Sequence, residues 1–220
     1  EDIATWRAAA TSETDAALDL LTRQLASLPA DTQEAAAALL AARHQVMALI
    51  DNGVTAAHGG LRTRIHGDLH LGQVLVAAGD AVIVDFEGEP LRPLEERRAK
   101  STPARDVAGM LRSLDYAAEA ALRDLTPRSP GTTDPRPELI EGWRRQAREA
   151  FLAAYHETMG DSPAWPTDAD ARDALTALFV AGKAAYELTY ELKNRPAWAI
   201  IPIRALLTLA GVTPATPEEA

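Results

Sequence analysis

The sequence predicts a mainly α-helical protein that contains one small β-hairpin. Across most of the 220 residues, apolar side chains recur every three or four positions, which is the period of a helix with one buried face. At one place the pattern changes to short runs of β-branched residues separated by a turn. Because 47% of the residues are hydrophobic, the chain can bury a substantial core.

Two helices are predicted in the first third of the chain. The first extends from Thr11 to about Leu28, with leucines at helical spacing. The second begins at Asp31, where Glu34 three residues later completes a capping box, and it ends towards Gly53. We therefore expect this part of the chain to be entirely helical.

The hairpin is predicted in the middle of the chain. The runs Val74–Val76 and Ala81–Val84 have the composition of short strands, and Gly79 and Asp80 between them are typical turn residues. A charged loop rich in proline and arginine follows over 90–103. We expect the two strands to pair antiparallel.

The remainder of the chain returns to helical periodicity. Further helices are predicted at 104–125, 139–159, 168–194 and 198–210. The segment from Pro127 to Pro137 contains four prolines, which predicts a mobile or disordered surface loop.

The composition argues against several classes of partner and location. A formal net charge of −10 disfavours binding to nucleic acid, which requires a basic face. Hydrophobic runs of the roughly 18 residues that a membrane span needs are missing from the sequence, and so is a signal peptide. Cysteine is absent, which fits a reducing compartment. We expect a cytoplasmic protein with no nucleic-acid or membrane partner.

Polar residues are concentrated at the two ends of the predicted hairpin. The segment 65–73 precedes the first strand and contains Asp68 and Gln73, and the segment 84–90 follows the second strand and contains Asp85. In an antiparallel pair the first strand leaves from the edge to which the second returns. We therefore expect the three side chains to lie close together.

Two carboxylates and an amide at one point suit phosphoryl transfer. One carboxylate, Asp68, can accept the proton of an attacking hydroxyl, while Gln73 and Asp85 offer oxygen ligands for Mg²⁺. Protein kinases place a catalytic aspartate five residues before a metal-binding asparagine, with a second metal-binding aspartate after the following hairpin. This sequence has the same spacing, with glutamine in place of asparagine.

Two other interpretations of these residues are open. An aspartate-rich turn can simply terminate strands, although three groups at this spacing make that the weaker interpretation. Alternatively, His66, Asp68 and His70 are ligands of a hydrolytic zinc centre. Such a site needs further ligands, and the histidines that remain are His44, His58 and His156.

The motifs resemble the aminoglycoside phosphotransferase and choline kinase-like superfamily, whose catalytic lobe is protein kinase-like. The strings His-Gly-Asp-Leu-His-Leu-Gly-Gln at 66–73, Asp-Phe-Glu-Gly-Glu-Pro at 85–90 and Arg-Asp-Val-Ala-Gly-Met at 105–110 look like its maltokinase branch, with the related glucosamine kinases. The resemblance implies transfer of the ATP γ-phosphoryl group to the anomeric hydroxyl of maltose. The product would be maltose 1-phosphate for α-glucan synthesis, and the cofactors would be ATP and Mg²⁺.

The resemblance also implies roles for single residues. Asp68 is the catalytic base, and Gln73 and Asp85 hold the metal. The residues expected to support the loops are His66, His70, Glu87 and Asp106, the last of which could instead be a simple helix N-cap.

A sugar-binding segment is expected on the last long helix. Glu187 and Glu191 are like charges one turn apart, a pair that costs about 0.2–0.5 kcal/mol in an isolated helix unless something neutralises or uses it. In the maltokinase resemblance this segment faces the acceptor sugar, and surface ion pairs are the alternative. The residues assigned to sugar binding are Tyr186, Glu187, Tyr190, Glu191 and Arg195.

Kinases of this type hold ATP with a β-rich amino-terminal lobe, which carries a lysine on a strand. The lysines here are Lys100, Lys183 and Lys193, and the first third is predicted helical. We therefore expect 1–220 to be a carboxy-terminal lobe without that nucleotide-binding lobe, and a poor catalyst by itself. Its predicted parts are a helical part at 1–60, the catalytic and metal loops at 61–103 and a helical subdomain at 104–220.

The parent protein would then be a maltokinase or a trehalose synthase–maltokinase fusion. A glucosamine kinase and a non-catalytic kinase-like binding module are the alternatives, because acidic residues suit an ammonium group as well as hydroxyls.

Overall fold

The computed structural model describes residues 2–56, 61–90, 92–125 and 134–212, and over these residues the predicted helical fold with one antiparallel hairpin is confirmed. The helices are α1 (Asp2–Gln24), α2 (Ala30–Ala41), α3 (Arg43–Ala56), α4 (Leu94–Arg98), α5 (Ala104–Arg123), α6 (Arg136–Met159), α7 (Ala169–Asn194) and α8 (Ile200–Leu209). The strands are β1 (Val74–Ala77) and β2 (Asp80–Ile83), and 3₁₀ turns cover Leu25–Ser27, Leu71–Gln73 and Pro196–Trp198. Of the described helices, none combines the length and the apolar character that crossing a membrane requires.

The chain forms two compact units. Unit 1 comprises 1–60 and 166–220, and unit 2 comprises 61–165. The predicted subdomain at 104–220 groups α5 and α6 with the last two helices, whereas the contacts place α5 and α6 with the hairpin. The predicted mobile loop at 127–137 lies largely outside the described residues, and α6 already begins at Arg136.

Unit 1 is a helical bundle built around α7. Helices α1, α3 and α8 all pack on α7, and α2 packs on α8. Its fully buried leucines and isoleucines include Leu18, Leu21, Leu39, Ile50, Leu178, Leu188, Ile203 and Leu206. The α3–α7 crossing is close because Gly53 lacks a side chain: an added Cβ would lie 2.5 Å from Leu178 Cβ and 2.7 Å from the Ala174 carbonyl oxygen.

In unit 1 and in the loop after the hairpin, three element boundaries in the structure differ from the predicted ones. The first helix begins at Asp2, where Trp6 packs edge-on against Phe179. The predicted second helix is divided into α2 and α3 at Ala42, a buried residue with no helix-breaking chemistry of its own. The charged loop at 90–103 contains the short helix α4.

In unit 2 the hairpin turn is one residue earlier than predicted. Ala77 pairs with Asp80, so the turn residues are Ala78 and Gly79, which have φ values of 52° and 83°. Two central residues with positive φ define a type I′ turn, whose twist matches that of the strands. Both faces of the hairpin are accessible, and Val76 is 83% exposed. Its position is therefore determined by contacts at its loop ends more than by core burial.

Helix α5 is the centre of unit 2 and packs against α6. On the α6 side, the buried Asp115 carboxylate accepts hydrogen bonds from Arg112 at 2.8 Å and from Arg148 at 3.0 Å, and Arg144 lies 3.5 Å away. Charged partners make the strongest class of side-chain hydrogen bond. This cluster fixes α5 to α6.

Candidate functional site

The register of the hairpin brings Gln73 and Asp85 together. Val74 pairs with Ile83 in the hairpin. The same register extends to the next pair of residues, because the Val84 amide donates to the Gln73 carbonyl at 2.9 Å. The Gln73 side-chain amide then donates to a carboxylate oxygen of Asp85 at 3.1 Å. The two residues assigned to the metal are therefore direct neighbours.

His66 connects the loop that carries Asp68 to the end of β2. Its Nε2–H donates to the Val84 carbonyl at 2.8 Å, and its Nδ1 accepts the backbone N–H of Asp68 at 3.3 Å. The tautomer with the proton on Nε2 makes both bonds. The ring also contacts Phe86, with centroids 4.8 Å apart. One buried side chain thus ties the backbone of Asp68 to the residue before Asp85.

The two loops also meet backbone to backbone. Gly67 and Gly88 have φ values of 84° and 74°, a region in which glycine alone is unstrained. A Cβ on Gly67 would lie 3.3 Å from the Gly88 Cα. The glycines on either side of this contact therefore allow the approach of the two loops.

Asp85 itself has a left-handed backbone, with φ of 64°. Aspartate and asparagine adopt this conformation more readily than other residues with a side chain, although it is still costly, at about 1–3 kcal/mol. Unusual backbone conformations of this kind persist where the surroundings enforce them, and they are common at functional sites.

Asp106 holds the other side of the loop that carries Asp68. It lies in the first turn of α5 after Pro103, so it is not the N-cap, and its two carboxylate oxygens accept the backbone N–H groups of His66 at 2.7 Å and Gly67 at 2.9 Å. Burial raises the pKa of Asp106, and the two backbone hydrogen bonds oppose that shift.

The other two predicted support residues have different surroundings. His70 precedes the 3₁₀ turn Leu71–Gln73, and its Nδ1 accepts the Gly72 N–H at 3.0 Å, so it caps the turn that ends at Gln73. Glu87 is exposed, and its backbone carbonyl lies 3.4 Å from Arg97 Nη1.

The donor set fits Mg²⁺ better than zinc. Gln73 and Asp85 supply amide and carboxylate oxygens, and Mg²⁺ is commonly held by one or two carboxylates together with waters and substrate phosphates. Among the described residues, no group of three or more histidine, aspartate or glutamate side chains is arranged to hold a metal. Both ring nitrogens of His66 are bonded to backbone groups. The zinc interpretation therefore has no ligand set in the described part of the chain, and His58 lies outside it.

The residues assigned to sugar binding lie in unit 1, on and just after α7. Glu191 is buried at 1% exposure, and both its oxygens accept from Arg195, at 2.9 and 2.6 Å. This bidentate pair neutralises Glu191, one of the two like charges one turn apart. Tyr190 is exposed at 44%, and the Lys183 ammonium lies 5.3 Å from the Tyr186 ring centroid.

Trp198 is a residue that the sequence did not single out. The Arg195 guanidinium lies 5.1 Å from the Trp198 ring centroid and 5.6 Å from that of Tyr190. In the sequence, Trp198 is marked out only as an aromatic residue two positions after Pro196. The 3₁₀ turn that brings it to Arg195 is not predictable from periodicity.

Comparison with known proteins identifies the kind of protein that this chain resembles. It is 32% identical over 147 residues to a glucosamine kinase from Streptacidiphilus jiangxiensis and 35% identical over 147 residues to a glucosamine kinase from Mycolicibacterium smegmatis. These matches cover 66% of this chain and 31% and 33% of the two relatives. The chain matches no protein-family model.

Solved glucosamine kinases have the same fold over nearly the whole chain. A glucosamine kinase in complex with glucosamine, ADP and inorganic phosphate superposes with a TM-score of 0.71 at 29% identity, covering 96% of this chain and 48% of that one. A second crystal form gives a TM-score of 0.71 and covers 45% of the solved chain. This chain therefore spans less than half the length of the proteins it matches.

These comparisons correct the predicted branch of the superfamily. The maltokinase assignment is wrong, because the relatives and the structural neighbours are glucosamine kinases. Neither the trehalose synthase fusion nor the missing amino-terminal lobe has support in these matches. The chain has the fold of the corresponding part of a glucosamine kinase.

Replacing Asp106 with asparagine should loosen the catalytic loop. An asparagine offers one acceptor oxygen to two N–H donors and turns its own NH₂ group towards one of them. We expect Asp106→Asn to lower the free energy of unfolding by about 1–3 kcal/mol, measured by urea denaturation, and to speed amide exchange at His66 and Gly67. Asp124→Asn, at the exposed end of the same helix, is the matched control. Equal effects of the two changes would contradict the role of Asp106.

Proposed function

We propose that this chain carries the phosphoryl-transfer loops and sugar contacts of an ATP-dependent glucosamine kinase with an aminoglycoside phosphotransferase-like catalytic lobe. The observation that carries the proposal is the junction of the two loops, at which His66 links Asp68 to Val84 and Gln73 bonds to Asp85. The similarity to glucosamine kinases over 96% of the chain supports the same conclusion.

In this proposal Asp68 acts as the base. As a sugar hydroxyl oxygen forms its bond to the γ-phosphorus, the bond to the ADP oxygen breaks and the hydroxyl proton passes to the Asp68 carboxylate. Catalysis of this kind depends mainly on positioning, because the protein does little covalent chemistry. The bonds of the Asp68 loop to His66 and Asp106 therefore bear directly on the rate.

Gln73 and Asp85 would hold the magnesium ion of the nucleotide. A magnesium ion held there would supply positive charge that offsets the negative charge developing during transfer. The Gln73 amide nitrogen donates to Asp85, and the oxygen of the same amide would be the ligand atom.

Unit 1 supplies the proposed sugar contacts. Tyrosine rings pack on the apolar faces of a sugar, and an acidic side chain suits the ammonium group of glucosamine, so we assign these roles to Tyr186, Tyr190 and Glu187. The Glu191–Arg195 pair instead holds the Arg195 guanidinium beside the rings of Tyr190 and Trp198.

The proposal predicts selective phosphorylation of glucosamine. Full-length protein with ATP and Mg²⁺ should release ADP with a kcat/KM for glucosamine roughly 10- to 100-fold above those for glucose and N-acetylglucosamine, because both analogues lack the ammonium group. A coupled assay for ADP and the mass of the product measure this. Preference for glucose or N-acetylglucosamine would overturn the amino-sugar assignment, and absence of phosphorylation of all three would overturn the kinase assignment.

Asp68→Asn should abolish most of the turnover while the fold is kept. We expect kcat to fall at least about 100-fold, because the amide cannot accept the hydroxyl proton, with KM for ATP almost unchanged. Asp80→Asn, an exposed change next to the hairpin turn, is the control for the loss of one negative charge. If Asp68→Asn retained the activity of the control variant, Asp68 would not be the base.

A further inference from the structure

One face of α5 follows the catalytic loop for two turns. Asp106, Gly109 and Ser113 are three and four positions apart, so they lie on the same side of the helix. Asp106 binds the start of the loop at His66 and Gly67, as described above. The two later positions contact the loop further along its course.

Gly109 determines how closely the helix approaches the loop. A Cβ added to Gly109 would clash with the carbonyl oxygen of Leu69, the residue directly after Asp68. The obstacle is backbone rather than a flexible side chain, so an alanine here would force either the helix or the loop to move. The opposite side of α5 is fixed to α6 through Asp115, which leaves the loop as the part that yields.

Ser113 determines the direction in which the loop leaves the helix. Its hydroxyl oxygen accepts the backbone N–H of Leu71 at 2.8 Å. Leu71 is the first residue of the 3₁₀ turn that ends at Gln73, whose side chain bonds to Asp85. Ser113 therefore acts on the metal-binding end of the loop, whereas Gly109 acts on the end that carries Asp68.

We propose that Gly109 and Ser113 are positioning residues, of which Gly109 sets the place of the Asp68 carboxylate and Ser113 sets the place of the Gln73 amide. This inference rests on the proposed kinase function for its catalytic consequences. Its structural core, the contact of α5 with residues 66–71, can be measured independently of activity.

Gly109→Ala should lower kcat by about 10- to 100-fold with KM for glucosamine within about twofold, because the loop is displaced while the sugar contacts remain. Gly142→Ala in α6 is the matched control, since no described residue outside the local helix backbone lies within 4 Å of the added Cβ and kcat should be unchanged. Both are assayed in full-length protein, well below their melting temperatures. A kcat for Gly109→Ala equal to that of Gly142→Ala would overturn the role of Gly109.

Ser113→Ala is a milder change that keeps the proposal testable if Gly109→Ala does not fold. It should raise the Mg²⁺ concentration for half-maximal rate about 2- to 10-fold and speed amide exchange at Leu71 by a similar factor, and Ser113→Thr should restore both. Ser27→Ala, whose hydroxyl donates to the nearby Gln24 carbonyl, is the control. Unchanged Mg²⁺ dependence together with unchanged exchange at Leu71 would overturn the role of Ser113.

Different results would overturn the kinase function and the positioning roles of Gly109 and Ser113. If wild-type protein phosphorylates glucosamine and both variants match their controls, the inference about α5 is overturned and the kinase function stands. If wild-type protein is inactive, the kinase function falls, and amide exchange over 66–71 in the Gly109 and Ser113 variants alone decides the inference: faster exchange supports it and unchanged exchange overturns it.

Discussion

The candidate site depends on one partly buried carboxylate. Asp106 accepts the N–H groups of His66 and Gly67, and this pair of bonds fixes the start of the catalytic loop to α5. From there His66 reaches Val84, so the same constraint extends to the end of β2 and to Asp85. The hairpin between the loops is exposed on both faces and has little core of its own to hold it. Its register and these loop contacts therefore determine where the functional side chains meet.

Partial burial of the Asp106 carboxylate costs electrostatic free energy at the point where this side chain fixes the loop. Burial disfavours the charge of Asp106 and raises its pKa, and the two backbone donors offset that cost. On the far side of α5, Asp115 is surrounded by arginines, so the helix is held through charged groups on both faces. Asp85 adds local strain through its positive φ. Costs of this kind are tolerated where a fixed geometry is needed for function.

The helical class, the hairpin and the proximity of Gln73 to Asp85 could be predicted from the sequence, because they follow from periodicity and from the antiparallel register. The helix break at Ala42 and the burial of Glu191 could not be predicted from the sequence. Both arise from tertiary packing, and neither residue type by itself indicates them. The type I′ turn at Ala78 was missed because alanine rarely has positive φ. The sugar was wrongly assigned for a different reason: the motifs at 66–73 and 85–90 serve phosphoryl transfer, which kinases for different sugars share.

The proposed function requires Gln73 and Asp85 to hold one metal ion next to the loop that carries Asp68. Crystals of the full-length protein grown with ADP and Mn²⁺, which replaces Mg²⁺ and scatters anomalously, test it directly. We expect an anomalous peak within about 2.5 Å of both the Gln73 amide oxygen and an Asp85 carboxylate oxygen. A peak bound to the nucleotide but distant from these two side chains would contradict it.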